Sequence, residues 1–212
     1  MTRKLFWEDP YRTELATTVS AVDGDTVTLT ETIFFALSGG QESDAGTIAG
    51  RPVLDAAWRG REIVYTMAPD HGLSPGDPVT VAIDWERRYR LIRLHFAAEI
   101  VLELVQQNYG PVDKTGAHIS ADKARIDFDW NGNIGAVLPV LQQKAAAIIA
   151  ADSPVISAFS DEADEKRFWR IEGFGQVACG GTHPKTTGEV GALQLKRKNP
   201  GKGRERIEIT LA

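Results

Sequence analysis

A single cysteine, Cys179, stands four residues before His183 in the stretch CGGTH. A second histidine, His95, stands four residues before Glu99 in RLIRLHFAAEIVLEL. Thiolate, imidazole and carboxylate are the donors that hold Zn²⁺. Gly180 and Gly181 permit the tight turn that would bring Cys179 and His183 to one ion. On a helix, residues four apart share a face, with Cβ atoms roughly 5–6 Å apart. A helix supplying His95 and Glu99 and a loop supplying Cys179 and His183 would complete a four-coordinate site. A cysteine acting as a small buried hydrophobe and a glutamate acting as a helix former account for the same residues without a metal. Of the other histidines, His71 follows Pro69-Asp70 in a turn and is expected at the surface. His118 lies in a strand pattern with no partner at ligand spacing.

The elements that must position these residues can be read from periodicity. From Asp84, a suitable N-cap, to about Gln107, the apolar residues Leu91, Leu94, Ala98, Val101, Leu102 and Val105 follow helical spacing. His95 and Glu99 fall on the edge of that stripe. GAHISADKARIDFDW reads as a hairpin, and NIGAVLPVLQQKAAAIIAAD as a second helix started late or bent by Pro139. PVISAF, RFWRIEGF, EVGALQLKRK and RERIEITLA read as strands, the last two joined by NPGKG. Before Asp84 the chain reads as β-structure. TTVSAVDGDTVTLT alternates around a DG turn, REIVYTM and PVTVAID are short strands, and FFALSGGQESDAGTIAGRP is in part a loop. The expected fold class is α+β. A small β-barrel-like domain over 1–84 precedes an α+β domain over 85–212 with an antiparallel sheet and two main helices.

Composition sets limits. At 42% hydrophobic and 25% charged, the chain is an ordinary globular one with a sizeable core. No apolar run approaches the roughly 18 residues of a membrane span. MTRKLFWEDPYR lacks the apolar core of a secretory signal. One cysteine excludes an internal disulfide, and a cytoplasmic location is the expectation. A net charge of -5 argues against non-specific coating of nucleic acid. Basic residues are nonetheless clustered: Arg87, Arg88, Arg90 and Arg93 in WERRYRLIRLH, and Lys196, Arg197, Lys198, Lys202, Arg204 and Arg206 in LKRKNPGKGRER. Such runs serve as solvated surface or as a local phosphate-binding face.

A helix histidine followed much later by CGGTH resembles the editing domain of alanyl-tRNA synthetase, which is related to the threonyl-tRNA synthetase editing fold. The likeness is closer still to the freestanding AlaX-type editing proteins. It covers most of the chain: ETIFFALSGGQESDAGTI, VAIDWERRYRLIRLH, GAHISADKARIDFDW and, most specifically, CGGTHPKTTGEVG. The resemblance implies a trans-editing hydrolase, not an ATP-dependent ligase. Such an enzyme deacylates mischarged tRNA(Ala), above all seryl-tRNA(Ala), at a zinc site. No membrane and no obligate protein partner are implied. It assigns His95, Cys179 and His183 as ligands, and Thr32 and Gln41 as residues that shape recognition of the seryl group. Serine differs from alanine by a hydroxyl that an apolar pocket rejects poorly, so a hydrogen-bonding pocket is the chemical solution. For tRNA phosphates the candidates are Arg87, Arg88, Arg93, Lys196 and Lys198.

The chain departs from the family pattern HTxxH, reading His95-Phe96-Ala97-Ala98-Glu99, and Ser38 replaces the first glycine of GGGQ. Three readings of Glu99 follow. It is the fourth zinc ligand, or a general base beside a three-ligand zinc. In the third reading the metal is lost, and the protein is a non-catalytic binder of tRNA or aminoacyl-tRNA.

Overall fold

The structure is a computed structural model and describes residues 2–201 and 203–212. It is α+β and divides into two compact units, Met1–Ser38 with Glu42–Tyr89, and Gly39–Gln41 with Arg90–Ala212.

The first unit is a seven-stranded antiparallel sheet curled into a half-barrel. Its strands run in the order Arg51–Pro52, Gly46–Ile48, Pro78–Ile83, Glu14–Asp23, Thr26–Leu29, Glu62–Thr66, Asp55–Arg59. The long strand Glu14–Asp23 pairs with Pro78–Ile83 through its first half and with Thr26–Leu29 through its second. A register shift between Val19 and Ala21 separates the two pairings. Such a bulge bends a strand and raises its twist, so one strand can serve both halves of the curl. The DG turn closes the expected hairpin, with Gly24 at φ 59°. Inside the curl lie Leu15, Val19, Leu29, Phe34, Phe35, Ile48, Ile63 and Val81. His71, expected at the surface, is buried. Its Nε2 donates to the Gly24 carbonyl at 3.1 Å and its Nδ1 accepts from Leu73 N at 3.0 Å. Both ring nitrogens are spent on holding the turn, which makes burial affordable.

The second unit holds two antiparallel sheets. One has four strands in the order Lys114–Ile119, Ala124–Asp129, Arg204–Leu211, Leu193–Gly201. The other has three, Ile156–Asp161, Lys166–Ile171 and Gly175–Ala178. The strand Gly175–Ala178 is too short and glycine-flanked to show in the sequence. Leu193–Gly201 runs through Asn199 and Pro200, with a register shift after Lys198, where a loop was expected. Lys202 lies outside the described residues. The second helix, Leu138–Ala150, starts with Pro139 in its first turn, where the missing N–H costs nothing.

The long helix is Trp85–Tyr109, and the division between the units falls at Tyr89. Asp84 caps it, accepting the backbone N–H of Arg87 on Oδ1 at 3.0 Å. The expected apolar stripe is present, with Leu102 partly buried, but burial extends beyond it. Ile92, Phe96, Ala97 and Ile100 are buried together with Leu91, Leu94, Ala98, Val101 and Val105. A helix buried on most sides between Leu91 and Val105 is a core element there rather than a surface one. Among the described residues no helix is long and apolar enough to cross a membrane.

Candidate metal centre

All the expected ligands fall within the second unit. The long helix carries His95 and Glu99. The strand pair Lys166–Ile171 and Gly175–Ala178 runs directly into CGGTH, and Cys179 N donates to the Arg167 carbonyl at 2.9 Å. Beyond His183 the chain is pinned again. Glu189 Oε1 accepts the backbone N–H groups of Lys185 and Thr186 at 2.9 and 3.2 Å. Thr187 donates through Oγ1 to the Ile148 carbonyl at 2.8 Å and accepts from Ser153 N at 2.9 Å. The TTGE that follows CGGTH therefore caps a short 3-10 helix and ties it to the end of the second helix.

Between these anchors His95 Nε2 and His183 Nε2 lie 3.5 and 3.3 Å from Cys179 Sγ, and the three donor atoms fall within 4.8 Å of one another. The imidazole rings stack at 5.2 Å with an interplanar angle of 21°. Each ring's other nitrogen is engaged. His95 Nδ1 donates to the Thr182 carbonyl at 3.1 Å, and His183 Nδ1 lies 3.0 Å from Ser157 Oγ. Such partners fix ring orientation and leave Nε2 free for an ion, which is how ligand histidines are commonly held. The donor set, two imidazoles and a thiol, suits Zn²⁺. Glu99 is not one of the three convergent donors. Its Oε1 lies 3.6 Å from His95 Nε2, and its Oε2 accepts from Trp169 Nε1 at 2.9 Å.

The electrostatics place a positive charge on His95 and a negative one on Glu99 while keeping His183 neutral. Burial disfavours a charged His95, but the Cys179 sulfur and the Glu99 carboxylate outweigh it and hold its pKa well above the ordinary value. Burial pushes the Glu99 carboxyl up, yet hydrogen bonds from His95 and Trp169 bring it down to about 2. His183, buried and facing a charged His95, falls to about 3. The buried Arg167 also faces the Cys179 sulfur and stacks over the Phe159 ring at 4.4 Å.

Gln41 reaches the same loop. Gly39 and Gly40 adopt φ of 60° and 92°, and a Cβ on Gly40 would stand 2.7 Å from the Ala117 carbonyl. With only a hydrogen there, Gly40 O accepts from Ile119 N at 2.7 Å and Gln41 bridges Ile119. The buried Gln41 amide then brackets Thr182, donating to Oγ1 at 2.9 Å and accepting from the backbone N at 3.3 Å. A chain of contacts runs from Gln41 through Thr182 to His95. Gly181 is the tightest point. A Cβ there would lie 2.2 Å from His95 Cε1 and 2.9 Å from Gln41 Oε1. Gly181→Ala is therefore expected to displace His95, costing about 1–3 kcal/mol in stability and at least roughly tenfold in zinc affinity. Urea unfolding and metal titration check this, and unchanged affinity would refute it.

Thr32 belongs to the first unit, where its hydroxyl lies 2.6 Å from Tyr65 Oη and accepts from Phe34 N at 3.0 Å. Among the basic candidates Arg88 requires correction. It is fully buried, with its guanidinium on both Asp44 oxygens and on the carbonyls of Pro10 and Ile33. It has no group left for a phosphate. Arg87 is paired with Glu42 and Ser43 O, and Arg93 bonds the Val190 carbonyl. Lys196 and Lys198 are exposed. Sequence reasoning missed Thr182, Ser157, Arg167 and Trp169. Thr182 alone carried a signal, since it lies inside CGGTH.

Residues 162–208, which contain CGGTH, match the family described as the threonyl and alanyl tRNA synthetase second additional domain. That match marks the segment carrying Cys179 and His183 as similar to a synthetase-associated additional domain. Two proteins named alanyl-tRNA editing protein AlaX-M extend the likeness to the whole length. The one from Pyrococcus horikoshii is 31% identical, over 100% of this chain and 98% of its own. The one from Methanosarcina barkeri is 32% identical, over 100% and 99%. An alanine–tRNA ligase from Ignicoccus hospitalis is 34% identical over 92% of this chain and 24% of its own length. The chain belongs to the family of freestanding alanyl-tRNA editing proteins.

Proposed function

We propose that this protein hydrolyses the ester of mischarged tRNA(Ala), seryl-tRNA(Ala) first among its substrates, with zinc held by His95, Cys179 and His183. The observation that most supports the reading is the convergence of those three donors, in a chain whose full-length relatives are named for alanyl-tRNA editing. When bound, zinc supplies a Lewis acid and makes a water more acidic. The chain's own residues do the rest. Thr182 O and Ser157 hold the two imidazoles so that each presents Nε2, and Gln41 braces Thr182 from behind. From the family resemblance we assign Gln41 to reading the seryl hydroxyl; the same resemblance names Thr32, whose hydroxyl is taken up inside the first unit by Tyr65 and the Phe34 N–H. The exposed Lys196 and Lys198 are assigned to tRNA phosphates. A single thiol kept for metal also fits a reducing, cytoplasmic setting.

The test is loss of the seryl ester from seryl-tRNA(Ala) in the presence of zinc-loaded protein. A rate above the buffer control is expected. No such rate with the metal confirmed present overturns the enzyme reading. Salt-sensitive tRNA binding without turnover would then mark a non-catalytic binder. Turnover of another mischarged tRNA keeps the reaction and moves the substrate.

A further inference from the structure

The two carboxylate oxygens of Glu99 have different surroundings. Oε2 accepts the Trp169 indole N–H at 2.9 Å, and Oε1 lies 3.6 Å from His95 Nε2. That nitrogen is the one that also faces the Cys179 sulfur. Trp169 is fully buried, edge-on to Phe96 at 5.3 Å and stacked with Phe174 at 6.2 Å. Its strand pairs it with Ser157 on one side and Val177 on the other. An indole N–H is a donor only, on a rigid ring with no freedom left here. A glutamate is long and loses several torsions on being ordered, which weakens it as a ligand unless something else holds it. Trp169 provides that hold. Phe96, the residue after His95, packs against both the Trp169 and the His183 rings, so the same aromatic group steadies both sides of the cluster.

We propose that Trp169 is a positioning residue that makes Glu99 a metal-facing carboxylate: it fixes Oε2 and leaves Oε1 as the fourth donor to the ion held by His95, Cys179 and His183. This rests on the metal reading above. It also accounts for the departure from HTxxH, because the carboxylate that replaces the second histidine brings its own support from the strand Lys166–Ile171.

Cobalt(II) titration of the full chain tests it, because cobalt reports affinity and, through its visible bands, the ligand set. Glu99→Ala and Trp169→Phe are each expected to weaken cobalt binding roughly 10–100-fold and to alter the bands. The double variant is expected to bind no more weakly than Glu99→Ala alone, because Trp169 acts through Glu99. Wild-type cobalt binding in Trp169→Phe overturns the proposal, as do additive losses, which would mean that the indole acts by packing. Should Trp169→Phe fail to fold, Glu99→Ala carries the test, and an unmoved cobalt spectrum there overturns it. A wild-type chain that takes up no cobalt overturns the metal reading and this proposal together. Normal wild-type uptake with an unmoved Trp169→Phe overturns the proposal alone.

Discussion

Cys179→Ser is expected to abolish zinc binding and, with it, ester hydrolysis. The sulfur stands between the two imidazoles, 3.3 Å from His183 Nε2 and 3.5 Å from His95 Nε2, and no other residue of the three-donor group can supply a negative charge. A thiol ionises readily beside a divalent ion, whereas a serine hydroxyl does not. The loss should exceed the roughly 100-fold upper range for removing a partner of a ligand, since here the ligand itself goes. Stability should change little, because serine is nearly isosteric and Cys179 is only partly buried. That contrast separates the metal role from a packing role. Metal content after dialysis and single-turnover deacylation are the measurements. Full zinc stoichiometry in the serine variant would remove the sulfur from the ligand set.

Asp44→Ala is expected to destabilise the chain by about 3–5 kcal/mol, the usual cost of leaving a buried charge without its partner. Asp44 and Arg88 are both buried, and their side chains form a bidentate pair. Asp44 Oδ2 also accepts the Phe35 N–H at 2.7 Å, so the substitution orphans a backbone donor as well. The double variant Asp44→Ala with Arg88→Met should recover part of the loss, since an apolar replacement of a buried pair is often near neutral. Urea unfolding of the full chain, followed through its first transition, reads both effects. Wild-type stability in Asp44→Ala would show that Arg88 is satisfied by the Pro10 and Ile33 carbonyls alone. The salt dependence of tRNA binding should be the same with and without the Arg88 guanidinium, since it is turned inward.

Local signals carried much of this structure. The DG hairpin, the helix beginning after Asp84, the hairpin around residue 120 and the CGGTH loop each follow from a turn residue, a cap or a spacing that acts over a few positions. The α+β class follows from their order. What stayed hidden depends on partners far away in the chain. Arg88 looked like a surface cation because Asp44, 44 residues earlier, leaves no trace in its neighbourhood. His71 looked exposed because the carbonyl that buries it belongs to Gly24, 47 residues before. The helix looked one-sided because Phe96, Ala97 and Ile100 fall off the stripe of a helix with one wet face. Trp169 could not be linked to Glu99 across 70 residues, although that contact bears most directly on what the glutamate does.

The anchors on either side of CGGTH bear on how an ion would be taken up. The segment is fastened before Cys179 by the strand pair Lys166–Ile171 and Gly175–Ala178, and after His183 by the capped turn at Thr186–Glu189. Its conformational entropy is surrendered when the polypeptide folds, before any ion would bind. In small zinc domains the ion must organise a disordered chain, and part of its binding energy is consumed in doing so. In this protein that expense would fall on the hydrophobic core of the second unit, and nearly all of the coordination energy of a bound ion would be left to express itself as affinity.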